Sequence, residues 1–137
     1  MSANNIYVIY GTDDGACAEA ALKLFNQLKP AEGDDFGNDI IDGNADNAEH
    51  AHEISHETIQ ALQTLPFFGG GKVVWLKRAT FMGSDRTSEA ERAKLGVEAI
   101  KDCLSAGIGD DCIFILSATA IDKRRSFYKW AKDNATL

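Results

Sequence analysis

A chain of 137 residues, 45% hydrophobic and 26% charged, is long enough to bury one core without disulfide or metal staples. Its 21 acidic against 14 basic residues give a net charge of -7, so the chain as a whole repels nucleic acid and anionic membrane. Any DNA contact must therefore come from a local basic patch or a partner. Cys17, Cys103 and Cys112 are far apart and form no C-x-x-C pair. This argues against a zinc ribbon or thioredoxin-type centre and leaves three reduced thiols as the expectation.

The N-terminal "MSANNIYVIYG" has no basic region followed by a long apolar run, so no signal peptide is expected. "KVVWL" and "CIFIL" are strand-length, too short to cross a bilayer. The cytoplasm is the expected compartment, with no membrane partner.

In chain order, "IYVIYG" (6–11) reads as a compact buried strand ending at Gly11. Cys17, Ala20, Ala21, Leu24, Phe25 and Leu28 then recur at amphipathic-helix spacing, closed by Pro30 and the acidic "AEGDDFGND". "IID" (40–42) begins or forms a second strand. A helix over about 48–62 follows, with Ala51, Ser55, Ile59 and Leu62 on one face. "KVVWLKRA" (72–79) predicts a third strand, buried on both faces. "FMGSDRTSEAER" is a polar connection with Ser or Asp available to cap the next helix, which carries Ala93, Val97, Ile100 and Leu104 inward. Gly107 is its C-cap candidate. "CIFILSA" (112–118) predicts the fourth strand, and "DKRRSFYKWAKDN" a final helix with Phe127, Trp130 and Ala131 inward. Strands alternating with crossover helices imply an α/β class in three layers, a mostly parallel sheet covered on both faces.

Four stretches carry candidate chemistry. His52-Glu53-Ile54-Ser55-His56 spells the H-E-x-x-H of zinc peptidases. At about 100° per residue, however, both histidines lie roughly 80–120° from the centre of the apolar stripe. Ile59 and Leu62 occupy the positions of the extended motif's Gly and His, and His50 is the only other histidine. The turn after the first strand, "GTDDGACAEA", sits where a phosphate-binding loop would. Yet Ala16, Cys17 and Ala18 replace its Gly, Lys and Ser/Thr, and Asp13 and Asp14 bring negative charge.

"LQTLPFFGGGK" (62–72) sets Leu65, Phe67 and Phe68 around Pro66 and ahead of three glycines. These aromatics either pack under the sheet edge or form a hydrophobic plug for a partner's pocket. "GGGK" is a weak phosphate loop because it enters a strand. Lys123, Arg124, Arg125, Lys129 and Lys132 gather in the last stretch, as a solvated face or as a basic contact surface for an acidic partner or nucleic acid.

Taken in order, "YVIYGTDDGACAEAA", "LQTLPFFGGGKVVWLK" and "LGVEAIKDCLSAGIGDDCIFILSATAIDKRRSFYK" resemble the N-terminal domain of the delta subunit of the bacterial DNA polymerase III clamp loader. The resemblance covers nearly the whole chain. It implies one P-loop NTPase-like (AAA+-like) domain over 1–137, with a degenerate, non-functional Walker A turn, no cofactor and no ATP hydrolysis. By the same resemblance, Leu65, Phe67 and Phe68 enter a hydrophobic pocket on the ring-shaped sliding clamp (beta subunit). Gln63 opens a Gln-x-x-Leu-Phe-like element, and Pro66 and Phe67 stand where Ser-Leu or Asp-Leu is often found. Lys123, Arg124, Arg125 and Lys129 remain a basic contact surface. The family's middle and collar domains are expected to be missing from a chain of this length, an isolated domain or truncated form. Other loader subunits are partners of the full-length protein, and DNA is met only indirectly or weakly. The rival readings are a vestigial nucleotide-binding protein and a zinc-dependent hydrolase.

Overall fold

The structure is a computed structural model and describes residues 5–11, 13–28, 39–64, 72–83, 88, 90–108 and 112–134. Among these, strands β1 (Ile6–Tyr10), β2 (Asp39–Asp42), β3 (Lys72–Lys77) and β4 (Cys112–Ala118) alternate with helices α1 (Asp14–Leu28), α2 (Ala48–Gln63), α3 (Glu91–Ala106) and α4 (Ser126–Asn134). The strands form one sheet in the order β1-β4-β3-β2, and all three pairings are parallel. The chain crosses the sheet from β1 to β2 in one direction and returns through β3 and β4 in the other. With crossovers of one hand, that reversal requires α1 on one face and α2 and α3 on the opposite face.

The packing follows that requirement. Ala21 and Phe25 of α1 cover Val73, Trp75 and Ile115. On the other face α2, α3 and α4 enclose Val74, Leu76, Phe114 and Leu116. Alternate residues of β3 and β4 thus serve opposite layers, which is why both runs are apolar throughout. The polar edge of Trp75 is satisfied by Ser117, whose Oγ accepts from Nε1 at 3.1 Å. Each fully buried large side chain of this set contributes about 1.5–3 kcal/mol relative to exposure.

Helices α2 and α3 approach closely because small residues meet. A Cβ on Gly96 would stand 2.5 Å from Ser55 Oγ, so only glycine fits there. Asn47 caps α2 by accepting from His50 N at 2.8 Å. The capping expected of Ser or Asp ahead of α3 does not occur. Its N-cap is Ala90, with no side-chain bond, while Ser88 is buried and donates to Thr80 O. The stretch read as a polar connection also contributes to the core, since Phe81 and Met82 are 0% and 4% exposed. Gly107 closes α3 as expected, with φ 106 and its N–H on Leu104 O. Ile54 and Thr58 are more buried on α2 than Ile59, and Ala20 of α1 is exposed, so both faces are rotated slightly from the sequence reading.

Candidate functional site

In a parallel sheet the usual ligand place is the crevice beyond the carboxyl ends of the strands, where successive helices leave to opposite faces. Here that point lies between β1 and β4. Gly11 N donates to Ala118 O at 3.3 Å, and the Cys17 thiol reaches back to Gly11 O at 3.6 Å. Asp13 Oδ1 accepts from Ala16 N at 3.1 Å, so the amino end of α1 already holds the chain's own carboxylate. The gap among Cys17, Ala18, Arg78, Ser117 and Thr119 is too narrow for a water molecule. Arg78 adopts φ 54 there, with its N–H on Ser117 Oγ at 3.1 Å.

The basic stretch runs along the same end of the sheet. Its two arginines converge on Asp122. Arg124 donates Nε and Nη2 to the two carboxylate oxygens at 3.0 Å each, and its backbone N–H adds a third bond at 3.0 Å. Arg125 stands 3.6 Å from the same carboxylate and donates Nη2 to Ser88 O at 2.9 Å. These bonds, those of Arg124 foremost, pull the Asp122 carboxyl from its ordinary 3.8 to about 2. Lys123 instead sits over two aromatic rings, 5.6 Å from Tyr10 and 5.9 Å from Tyr128. The two phenols share a 3.2 Å hydrogen bond, which raises the Tyr10 pKa above its ordinary value. Lys129 and Lys132 are exposed on α4.

The opposite, amino end of the sheet is organised around one buried lysine. α2 runs down to this end, where Gln63 is exposed in its last turn and Thr64 turns the chain out of the helix with φ -89 and ψ 124. Leu65, Pro66, Phe67 and Phe68 lie outside the described residues. The chain is described again at Lys72, the first residue of β3, which is only 4% exposed. An ammonium carries three N–H donors, and all three have partners. Nζ donates to Ala61 O at 2.6 Å and to Thr64 O at 2.9 Å, and stands 3.3 Å from the carboxylate of Asp39, the first residue of β2. α2 has no basic residue in its own last turn. Lys72 supplies the positive charge that its carbonyl end favours.

Sequence reasoning placed Lys72 at the start of the right strand but did not see this role. The available signal was a charged residue inside a run expected to be buried on both faces, which demands partners. The H-E-x-x-H pair lies elsewhere, on the outer flank of α2. His56 is exposed, and His52 Nδ1 is 3.3 Å from Arg92 Nη2, the guanidinium that also forks onto Glu49 at 3.0 and 3.1 Å. A fixed cation thus already faces His52. Among the described residues, no three His, Cys, Asp or Glu side chains are grouped to hold a metal. Cys17, Cys103 and Cys112 are free thiols, and burial pushes the latter two up in pKa.

No helix among the described residues is long and apolar enough to cross a membrane. No curated protein sequence matches the chain. A solved structure, the DNA clamp loader delta protein (YqeN) of Bacillus subtilis, shares the fold with a TM-score of 0.73 at 19% identity. The match covers 97% of this chain but 37% of that one, so the chain spans little more than a third of that protein's length. The family model described as DNA polymerase III, delta subunit matches residues 7–137. With that match running over nearly all of its length, the chain belongs to the DNA polymerase III delta-subunit family.

Proposed function

We propose that the chain is the sliding-clamp-binding domain of a clamp-loader delta subunit and performs no chemical step itself. The observation that carries this reading is the family match over residues 7–137. In the proposal Leu65, Phe67 and Phe68 fill a hydrophobic pocket on the clamp, with Gln63 and Pro66 at the entry. Burial of two phenylalanines contributes about 1.5–3 kcal/mol each before ordering costs, enough to anchor a moderate interface. A clamp with one subunit interface opened that binds more tightly than the closed ring is drawn toward the open state by that difference alone. The other loader subunits are met through the family's middle and collar domains, and DNA only indirectly. Lys123, Arg124, Arg125 and Lys129 form a secondary basic contact. With both arginines held by Asp122, the lysines carry most of its attraction for an acidic partner.

The same reading makes the Gly11 turn a degenerate Walker A loop of an AAA+-like domain. Ala16, Cys17 and Ala18 in place of Gly, Lys and Ser/Thr support it, as does the Asp13 carboxylate at the amino end of α1. Calorimetric titration of the chain with the cognate sliding clamp tests the proposal. Saturable binding is expected, with no saturable binding of a non-hydrolysable ATP analogue. Absence of clamp binding, or undiminished binding by Phe67→Ala/Phe68→Ala, would sink it.

A further inference from the structure

Lys72 is the one buried lysine among the described residues, and its charge serves acceptors at the end of α2 and the start of β2. A methionine would fill the same strand position, but removing one partner alone leaves two backbone carbonyls and the half-exposed Asp39 carboxylate without their donor. What a methionine cannot do is bond Thr64 O at 2.9 Å, Ala61 O at 2.6 Å and Asp39 together. Thr64 is the residue just before segment 65–71, and Lys72 the residue just after it. One ammonium therefore joins the exit point of that segment directly to its re-entry point, and ties both to the first residue of β2.

We propose that Lys72 is a positioning residue for clamp binding: by holding Thr64 and the end of α2 against the start of β3, it fixes the root from which Leu65, Phe67 and Phe68 reach the clamp. This rests on the reading given above. The benefit is preorganisation. A root fixed before encounter spares the complex part of the ordering cost of association. The carbonyl end of α2, with no basic residue in its last turn, is where the lysine would be missed most.

The test is Lys72→Met in the full chain, checked for folding by circular dichroism and titrated with the cognate sliding clamp. The variant is expected to fold and to bind about tenfold more weakly per folded molecule, equal to about 1.4 kcal/mol. The loss should vanish when Phe68→Ala is already present, because the lysine acts only through the anchor. A merely structural lysine would change thermal stability and leave that coupling at zero. Wild-type affinity in Lys72→Met, alongside weakened binding by Phe67→Ala/Phe68→Ala, overturns the positioning role and leaves the clamp reading standing. Undiminished binding by the phenylalanine variant overturns the clamp reading itself. If Lys72→Met does not fold, Asp39→Asn removes one of the three partners from a half-exposed site. It should then weaken binding about threefold with the same dependence on Phe68, and wild-type affinity there overturns the role.

Discussion

The two ends of the sheet solve the same electrostatic problem with opposite results. At the carboxyl end, charged groups are answered by neighbours a few residues away: Asp13 by the first turn of α1, Arg124 and Arg125 by Asp122, Lys123 by two tyrosine rings. At the amino end, one lysine draws its three partners from two distant elements, α2 with its C-cap and β2. Local answers close a surface on itself, while the long-range one ties the end of one helix to the starts of two strands. Among the described residues, the gap where this class of sheet ordinarily takes its ligand is too narrow for a water molecule. The proposed contact stands at the far end of α2.

Three variants separate these ends. The largest expected effect is at the amino end, where Phe67→Ala/Phe68→Ala should weaken clamp binding at least about a hundredfold, or about 2.7 kcal/mol. Lys123→Ala, which empties the tyrosine pair at the carboxyl end, should change the same affinity less than about threefold, the scale of an exposed charge contact. Comparable losses from both would erase the distinction between the ends. Next comes Gly96→Ala, which tests the rod joining them. Alanine normally favours a helix over glycine by about 1 kcal/mol. The 2.5 Å approach to Ser55 Oγ reverses the sign, because either helix must move. A loss of about 1–3 kcal/mol is expected in urea unfolding, and a gain in stability would show that α2 and α3 have slack.

The contrast also explains what the sequence made legible. Strand β4 coincides with "CIFILSA" residue for residue because an unbroken apolar run has few alternatives to a central parallel strand. The inward face of α3 followed from periodicity, with Ala93, Val97, Ile100 and Leu104 all buried. Lys72 was illegible because its acceptors at Ala61 and Thr64 are backbone carbonyls, which every residue possesses and no pattern marks. Phe81 and Met82 were misjudged since their polar neighbours dominate the window. Tertiary pairing, including Asp122 N on Met82 O, draws that stretch inward. The basic stretch was legible as charge but not as geometry. The single aspartate at its head was the clue, with its carboxylate two and three residues from the guanidiniums it binds.

That aspartate gives the smallest and most specific effect. Its carboxyl falls from 3.8 to about 2 on folding, chiefly through the bonds from Arg124. A folded value below the unfolded one means that ionised Asp122 favours the native state. The contribution is fully present above about pH 4–5 and disappears as pH falls through about 4 to 2. Asp122→Asn keeps an oxygen that can accept from Arg124 N, so the turn into α4 survives and only the charge is removed. The stability gap between the native chain and this variant should be constant from pH 7 to 5 and close steadily below that, as read from urea unfolding at each pH. Other carboxylates, including Glu49 with its lowered value beside Arg92, titrate alike in both proteins and cancel in the difference. A gap independent of pH would mean that Asp122 contributes shape and not charge. Because Lys72 and its partners lie at the other end of the sheet, clamp affinity at neutral pH should differ from that of the native chain by less than about threefold, the scale of an exposed charge contact. A larger loss would couple the two ends that the geometry keeps apart.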